Sequence, residues 1–115
     1  MRYRNMVFLG LAPAALLGAM PAQAQADFTG AGEESELDCN GGAASIEGAS
    51  NVMTITGACT SLTITGAGNR VTIDLAKVSR IRVVGASNEI YWRAPGTAKP
   101  RLSVQGAGNR ISRAR

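Results

Sequence analysis

The strongest constraint on this chain is a four-residue phrase, Gly-Ala-x-Asn, which occurs at Gly48 to Asn51, Gly66 to Asn69, Gly85 to Asn88 and Gly106 to Asn109, with starts 18, 19 and 21 residues apart. A period near 20, with a short strand-like stretch after each phrase, is the mark of a chain wound into stacked turns. A related phrase, Gly57-Ala58-Cys59-Thr60, lies nine residues after Gly48 and nine before Gly66. The unit is therefore a nonapeptide, and two units make a coil. Apolar residues two apart recur late in each unit: Ala44/Ile46, Met53/Ile55, Leu62/Ile64, Val71/Ile73, Ile81/Val83, Ile90/Trp92 and Leu102/Val104. A spacing of two is that of a strand with one buried face. These features predict an all-β fold, a small parallel β-helix or β-solenoid of about four coils with about two nonapeptide strands each. The seventh unit, Ala94 to Gln105, carries a Pro/Gly insertion that departs from the repeat.

Stacking at ~4.8 Å makes residues one coil apart into axial neighbours. Asn51, Asn69, Asn88 and Asn109 then form one column in which each amide can hydrogen-bond the next. The regular spacing favours a structural ladder over a catalytic role for these asparagines. Glycine at the start of each phrase suits a corner, because it accepts positive φ and permits close approach of two backbones.

The N-terminus reads as an export signal. Arg2 and Arg4 precede an apolar run from Met6 to Met20, and Ala22-Gln23-Ala24 or Ala24-Gln25-Ala26 offers small residues for cleavage. The domain reading is a signal peptide over 1–26, an acidic N-terminal cap over 27–38 and a solenoid domain over 39–115. The apolar run is short and broken by proline, and no cysteine near the cleavage site could take a lipid. The expected location is periplasmic or secreted, without a transmembrane segment in the mature chain. In that oxidising setting Cys39 and Cys59, the only two cysteines, are expected to form a disulfide across the first coils. Cys39 opens its unit, Gly57 holds that place one coil later, and Cys59 lies two residues further along the same corner.

Several of these stretches together resemble a known family: Asp38-Cys39-Asn40-Gly41, Ile46-Glu47-Gly48, Thr56-Gly57-Ala58-Cys59 and the returning Gly-Ala-x-Asn-x-Val/Ile. The chain is similar to the bacterial exported family catalogued as domain of unknown function 3060, over Asp38 to Ile111. The resemblance implies an exported β-solenoid and brings no activity, cofactor or catalytic residue.

The residues themselves favour a noncatalytic module. There is no histidine, and no pairing of carboxylates outside the acidic start. Glu33, Glu34, Glu36 and Asp38 match no calcium-loop spacing, so neither a metal nor a cofactor is expected. The alternative is a small carbohydrate-active enzyme of the lyase or hydrolase type found on larger β-helices. Thr54/Thr56 and Thr63/Thr65 fall on different faces and build no flat threonine array.

Charge divides along the chain. Residues 27–69 hold six acids and no Lys or Arg, whereas residues 70–115 hold ten basic residues and two acids. In a solenoid, order in sequence is order along the axis, which allows anion binding at the basic end or head-to-tail self-association. The register pairs Arg70, Glu89 and Arg110 in one alternating column and sets Asp74 beneath Arg93. It stacks Lys77 with Lys99 and Arg80 with Arg101, with Arg82 beside them. These five residues are the expected anion-binding patch, for an acidic polysaccharide, a lipid headgroup or nucleic acid, with Tyr91 as a neighbouring contributor. The function expected is an envelope or extracellular binding or structural protein.

Export should remove the leader. Intact-mass measurement on protein from an exporting host should give a chain starting at Gln25 or Asp27, and an exported product still carrying Met1 to Met20 would contradict the secreted reading.

Overall fold

The computed structural model describes residues 25–114, and the expected leader over 1–26 lies outside them except for Gln25 and Ala26. Eight strands follow one another: β1 (Gln25–Ala31), β2 (Glu34–Asp38), β3 (Ala43–Ala49), β4 (Val52–Ala67), β5 (Arg70–Ala86), β6 (Glu89–Arg93), β7 (Arg101–Gln105) and β8 (Arg110–Arg113). Every pairing is parallel, and the coils build a β-solenoid of about five turns. One wall is β1, β3, the second half of β4, the second half of β5, and β7. The other is β2, the first half of β4, the first half of β5, β6 and β8. The count exceeds four because the acidic segment winds a coil of its own. β1 pairs with β3 from Gln25↔Ala43 to Ala31↔Ala49, and β2 pairs with β4 from Glu34↔Val52 to Asp38↔Thr56.

Alternation along each strand decides what goes inside. On the first wall Phe28, Ile46, Ile64, Val83 and Val104 are successive ladder partners. On the second the inward column runs Leu37, Ile55, Ile73, Trp92. Ile46, Ile55, Ile64, Ile73, Val83 and Trp92 are buried between the walls, and the end members Phe28 and Leu37 only partly so. Burial of each such side chain contributes about 1.5–3 kcal/mol, which repetition multiplies in a chain too small for a wide core.

The Gly-Ala-x-Asn phrase has a stereochemical explanation. Asn69 Nδ2 donates to the carbonyl oxygen of Gly48 (3.0 Å), one coil back, and to Asn88 Oδ1 (3.0 Å), one coil ahead. Asn69 Oδ1 accepts from both the backbone N–H and the Nδ2 of Asn51 (3.1 Å each). Asn88 repeats the pattern with Gly66 and Asn109, and Asn51 with Gly30 and Asn69. The Gly48 carbonyl lies where a Cβ on Gly66 would have to be, and Gly66 has φ 143°. Gly85 stands in the same relation to Gly66, and Gly106 to Gly85. The third place turns through the left-handed region, at Ser50 (φ 60°), Gly68 (68°), Ser87 (58°) and Gly108 (73°). Its N–H donates to the next coil's alanine carbonyl, as Ser50 N does to Ala67 O (3.0 Å) and Gly68 N to Ala86 O (3.0 Å).

The opposite corner is closed covalently. Cys39 and Cys59 form a disulfide with a Cα–Cα separation of 5.3 Å, both residues wholly buried. Left-handed backbone at Asn40 (φ 47°) and Ala58 (φ 52°) turns the chain beside each cysteine. By chain-entropy reasoning a bridge closing a loop of this length contributes about 3 kcal/mol.

Three substitutions measure the glycine–asparagine corner by urea unfolding. Gly66→Ala should cost more than about 4 kcal/mol, because the clash is with backbone that cannot move alone. Asn69→Ala should cost about 3 kcal/mol by leaving the buried Gly48 carbonyl and Asn51 N–H, both one coil back, without their side-chain partner, and Asn109→Ala about 1 kcal/mol because water can replace it at the rod end. Equal midpoints for the two asparagine variants would remove the ladder as a source of stability.

Candidate anion-binding groove

The first wall carries its charge on the outward positions between buried residues. Arg80 and Arg82 flank the buried Ile81 on β5 and point to solvent. The ladder sets Ser61, Arg80 and Arg101 in one axial column and Thr63, Arg82 and Ser103 in the next. Positions two apart along a strand are separated by ~6.6 Å and successive coils by ~4.8 Å, so the three guanidinium-bearing positions occupy one small rectangular grid. An open groove of about 800 Å³ runs over it, lined by Thr60, Ser61, Thr63, Val78, Ser79, Arg80, Arg82 and Arg101. Ser79 lies buried among the lining residues, and its Oγ has no hydrogen-bond partner among the described residues.

The electrostatics of the two walls differ. On the second wall Arg70 Nε meets Glu89 Oε1 at 3.1 Å and Arg93 Nη1 meets Asp74 Oδ1 at 3.3 Å. These exposed pairs contribute at most about 1 kcal/mol each, but they neutralise that wall locally. Among the described residues they are the ion pairs present, so Arg80, Arg82 and Arg101 have no carboxylate partner. The acids of the first wall are Asp27 and Glu47, in columns that reach the arginine level only after two or three further coils. Two coils span ~10 Å, beyond the ~8 Å Debye length at physiological salt. The groove therefore keeps its positive charge.

Not every residue expected in the patch joins it. Lys77 lines a neighbouring hollow of about 530 Å³ with Val78, Pro95, Gly96, Thr97 and Ala98. Lys99 is exposed just ahead of β7, and no ladder pair joins it to Lys77. The insertion explains this: Ala98 N donates to Pro95 O (3.1 Å) in a turn, and Pro100 holds the chain out of the ladder until Arg101. Tyr91 belongs to the other wall, between Thr72 and Ser112. The groove instead gains Thr60, Ser61, Thr63 and Ser79. The signal for Ser61 and Thr63 was present in the register, since each stands one coil before an arginine.

Chemically the grid is a set of fixed, always-charged donors edged by hydroxyls. Guanidinium groups offer paired N–H donors that match carboxylate, sulfate or phosphate oxygens, and threonine and serine hydroxyls can complete the contacts. No curated protein and no solved structure matches the chain. A family model does, over residues 46–108, which spans more than half of the sequence and takes in all four Gly-Ala-x-Asn starts, three of the phrases complete, together with every residue that lines the groove. The chain belongs to the family described as "Protein of unknown function (DUF3060)".

Proposed function

We propose that this protein is an exported, noncatalytic binding module for anionic polymers or surfaces, and that the Arg80/Arg82/Arg101 groove is its binding site. The observation that carries the reading is the stacking of Arg80 on Arg101 in adjacent coils beside Arg82, with no carboxylate among the described residues paired to any of them. Like charges set directly opposite in a sheet are destabilising by about 0.2–1 kcal/mol. An unpaired stack of this kind has little purpose in a purely structural wall, and a bound anion relieves it. The hydroxyls of Thr60, Ser61 and Thr63 extend the polar floor toward the N-terminal coils, which suits a ligand longer than one charged group. Support for export comes from the buried Cys39–Cys59 bridge, since structural disulfides belong to oxidising compartments.

The ligand class is an acidic polysaccharide or a phosphate-bearing lipid headgroup. The experiment is titration at low salt with dextran sulfate, with neutral dextran, and with vesicles of phosphatidylglycerol or phosphatidylcholine. The unmodified protein should bind one of the anionic probes and neither neutral one, and affinity should fall as salt rises. Replacing Arg80, Arg82 and Arg101 together by Gln should weaken binding at least about tenfold, with the unfolding midpoint unchanged or raised. Binding that survives the triple substitution, or no binding by the unmodified protein, would overturn the proposal.

A further inference from the structure

The two ends of the rod are complementary in shape, charge and register. At the C-terminal end β7 and β8 are the last strands of their walls, each paired on one side only among the described residues. Their inward side chains have no coil above them: Leu102 is 53% exposed and Val104 45%, although the same columns are wholly buried at Ile81 and Val83. At the N-terminal end β1 and β2 are likewise paired on one side only, by β3 and β4, and expose the flank of Phe28 and Leu37. One end therefore lacks a coil that the other end could supply.

The ladder continues across such a joint without adjustment. Adding the next copy's first coil on top of the last would set Ala26 over Leu102 and Phe28 over Val104, closing both exposed columns. On the other wall one column runs Glu34, Val52, Arg70, Glu89, Arg110, so the next copy's Glu34 would fall on Arg110 and extend the alternation of sign. The asparagine ladder would also be completed. In each coil the asparagine N–H donates to the side-chain oxygen of the coil above, as Asn88 N does to Asn109 Oδ1 (3.0 Å). Above Asn109 the next copy presents Glu33, which holds the asparagine place in the first coil and whose own N–H donates to Asn51 Oδ1 (3.0 Å). A carboxylate there is a stronger acceptor than the amide it replaces.

We infer that copies of this chain stack head to tail, β7 and β8 of one receiving β1 and β2 of the next, to form a continuous solenoid. The joint is heterologous: the two surfaces that meet are different, and the axial translation does not bring the chain of copies back on itself. It adds parallel strand pairing to unsatisfied edges, the mode by which exposed sheet edges recruit a further strand. The inference does not depend on the anion groove, since Glu34 and Arg110 stand on the opposite wall.

The test is sedimentation velocity over a wide concentration range on protein isolated from an exporting host. The unmodified protein should grow in mass with concentration without stopping at a dimer, and should dissociate as salt is raised. Arg110→Glu and Glu34→Lys each bring like charges together at the joint and should each weaken association about tenfold. An equimolar mixture of the two variants restores an opposite-sign contact at every joint and should recover the unmodified behaviour. Val104→Asp, which places a charge on the exposed core column, should abolish growth on its own and, added to the unmodified protein, should cap the growing end and shorten the assemblies. A protein that stays monomeric throughout, an assembly that closes at a dimer, or variants that associate as well alone as together would overturn the inference.

Discussion

The structure depends on a single close approach, repeated at one corner of each coil. The carbonyl of one phrase glycine occupies the space that a side chain on the next phrase glycine would need, and the asparagine three places further on holds that carbonyl in position. Glycine and asparagine are thus two halves of one device. Without the glycine the coils cannot close to ladder distance, and without the asparagine a carbonyl and an N–H of the preceding coil lose their partner. The opposite corner has no such repeating device. It is closed by the Cys39–Cys59 bridge between the second and third coils and by loose turns elsewhere, and it is there that β4 and β5 break register.

That asymmetry between corners bears on where binding capacity can sit. The asparagine corner leaves neighbouring outward positions in strict register, and on the second wall they pair as Arg70 with Glu89 and Asp74 with Arg93. The irregular corner opens onto the groove, where Val78 and Ser79 interrupt the repeat before Arg80. The axial separation of charge then acts at two scales. Across the first wall it leaves the arginines free of carboxylates, and along the rod it gives the two ends opposite sign.

Much of this was legible in the residues, because both spacings that matter are properties of the chain. The phrase period gave the coil, the period of two gave the buried columns, and both together gave the ladder partners Arg80 with Arg101 and Arg70 with Glu89. The first coil was harder to see. Glu33 stands where the other coils have asparagine, and Phe28 where they have an aliphatic residue, so the acidic segment read as a cap although its register is complete. The insertion around Pro95 and Pro100 misled in the other direction. Counting unit positions through it placed Lys99 over Lys77, whereas the ladder resumes only at Arg101 and sets Tyr91 on the far wall. The unpartnered hydroxyl of Ser79 follows from packing at the irregular corner and had no periodic signal.

The central claim is that successive phrases stack in parallel with fixed register, and through-hydrogen-bond scalar couplings in solution NMR test it directly. Couplings are expected from Arg70 N–H to the Asn51 carbonyl, from Glu89 N–H to Asn69 and from Arg110 N–H to Asn88, together with slow exchange of the Asn51, Asn69 and Asn88 side-chain amides. Couplings that instead joined neighbouring segments in antiparallel order, or asparagine amides exchanging as fast as exposed ones, would contradict the account.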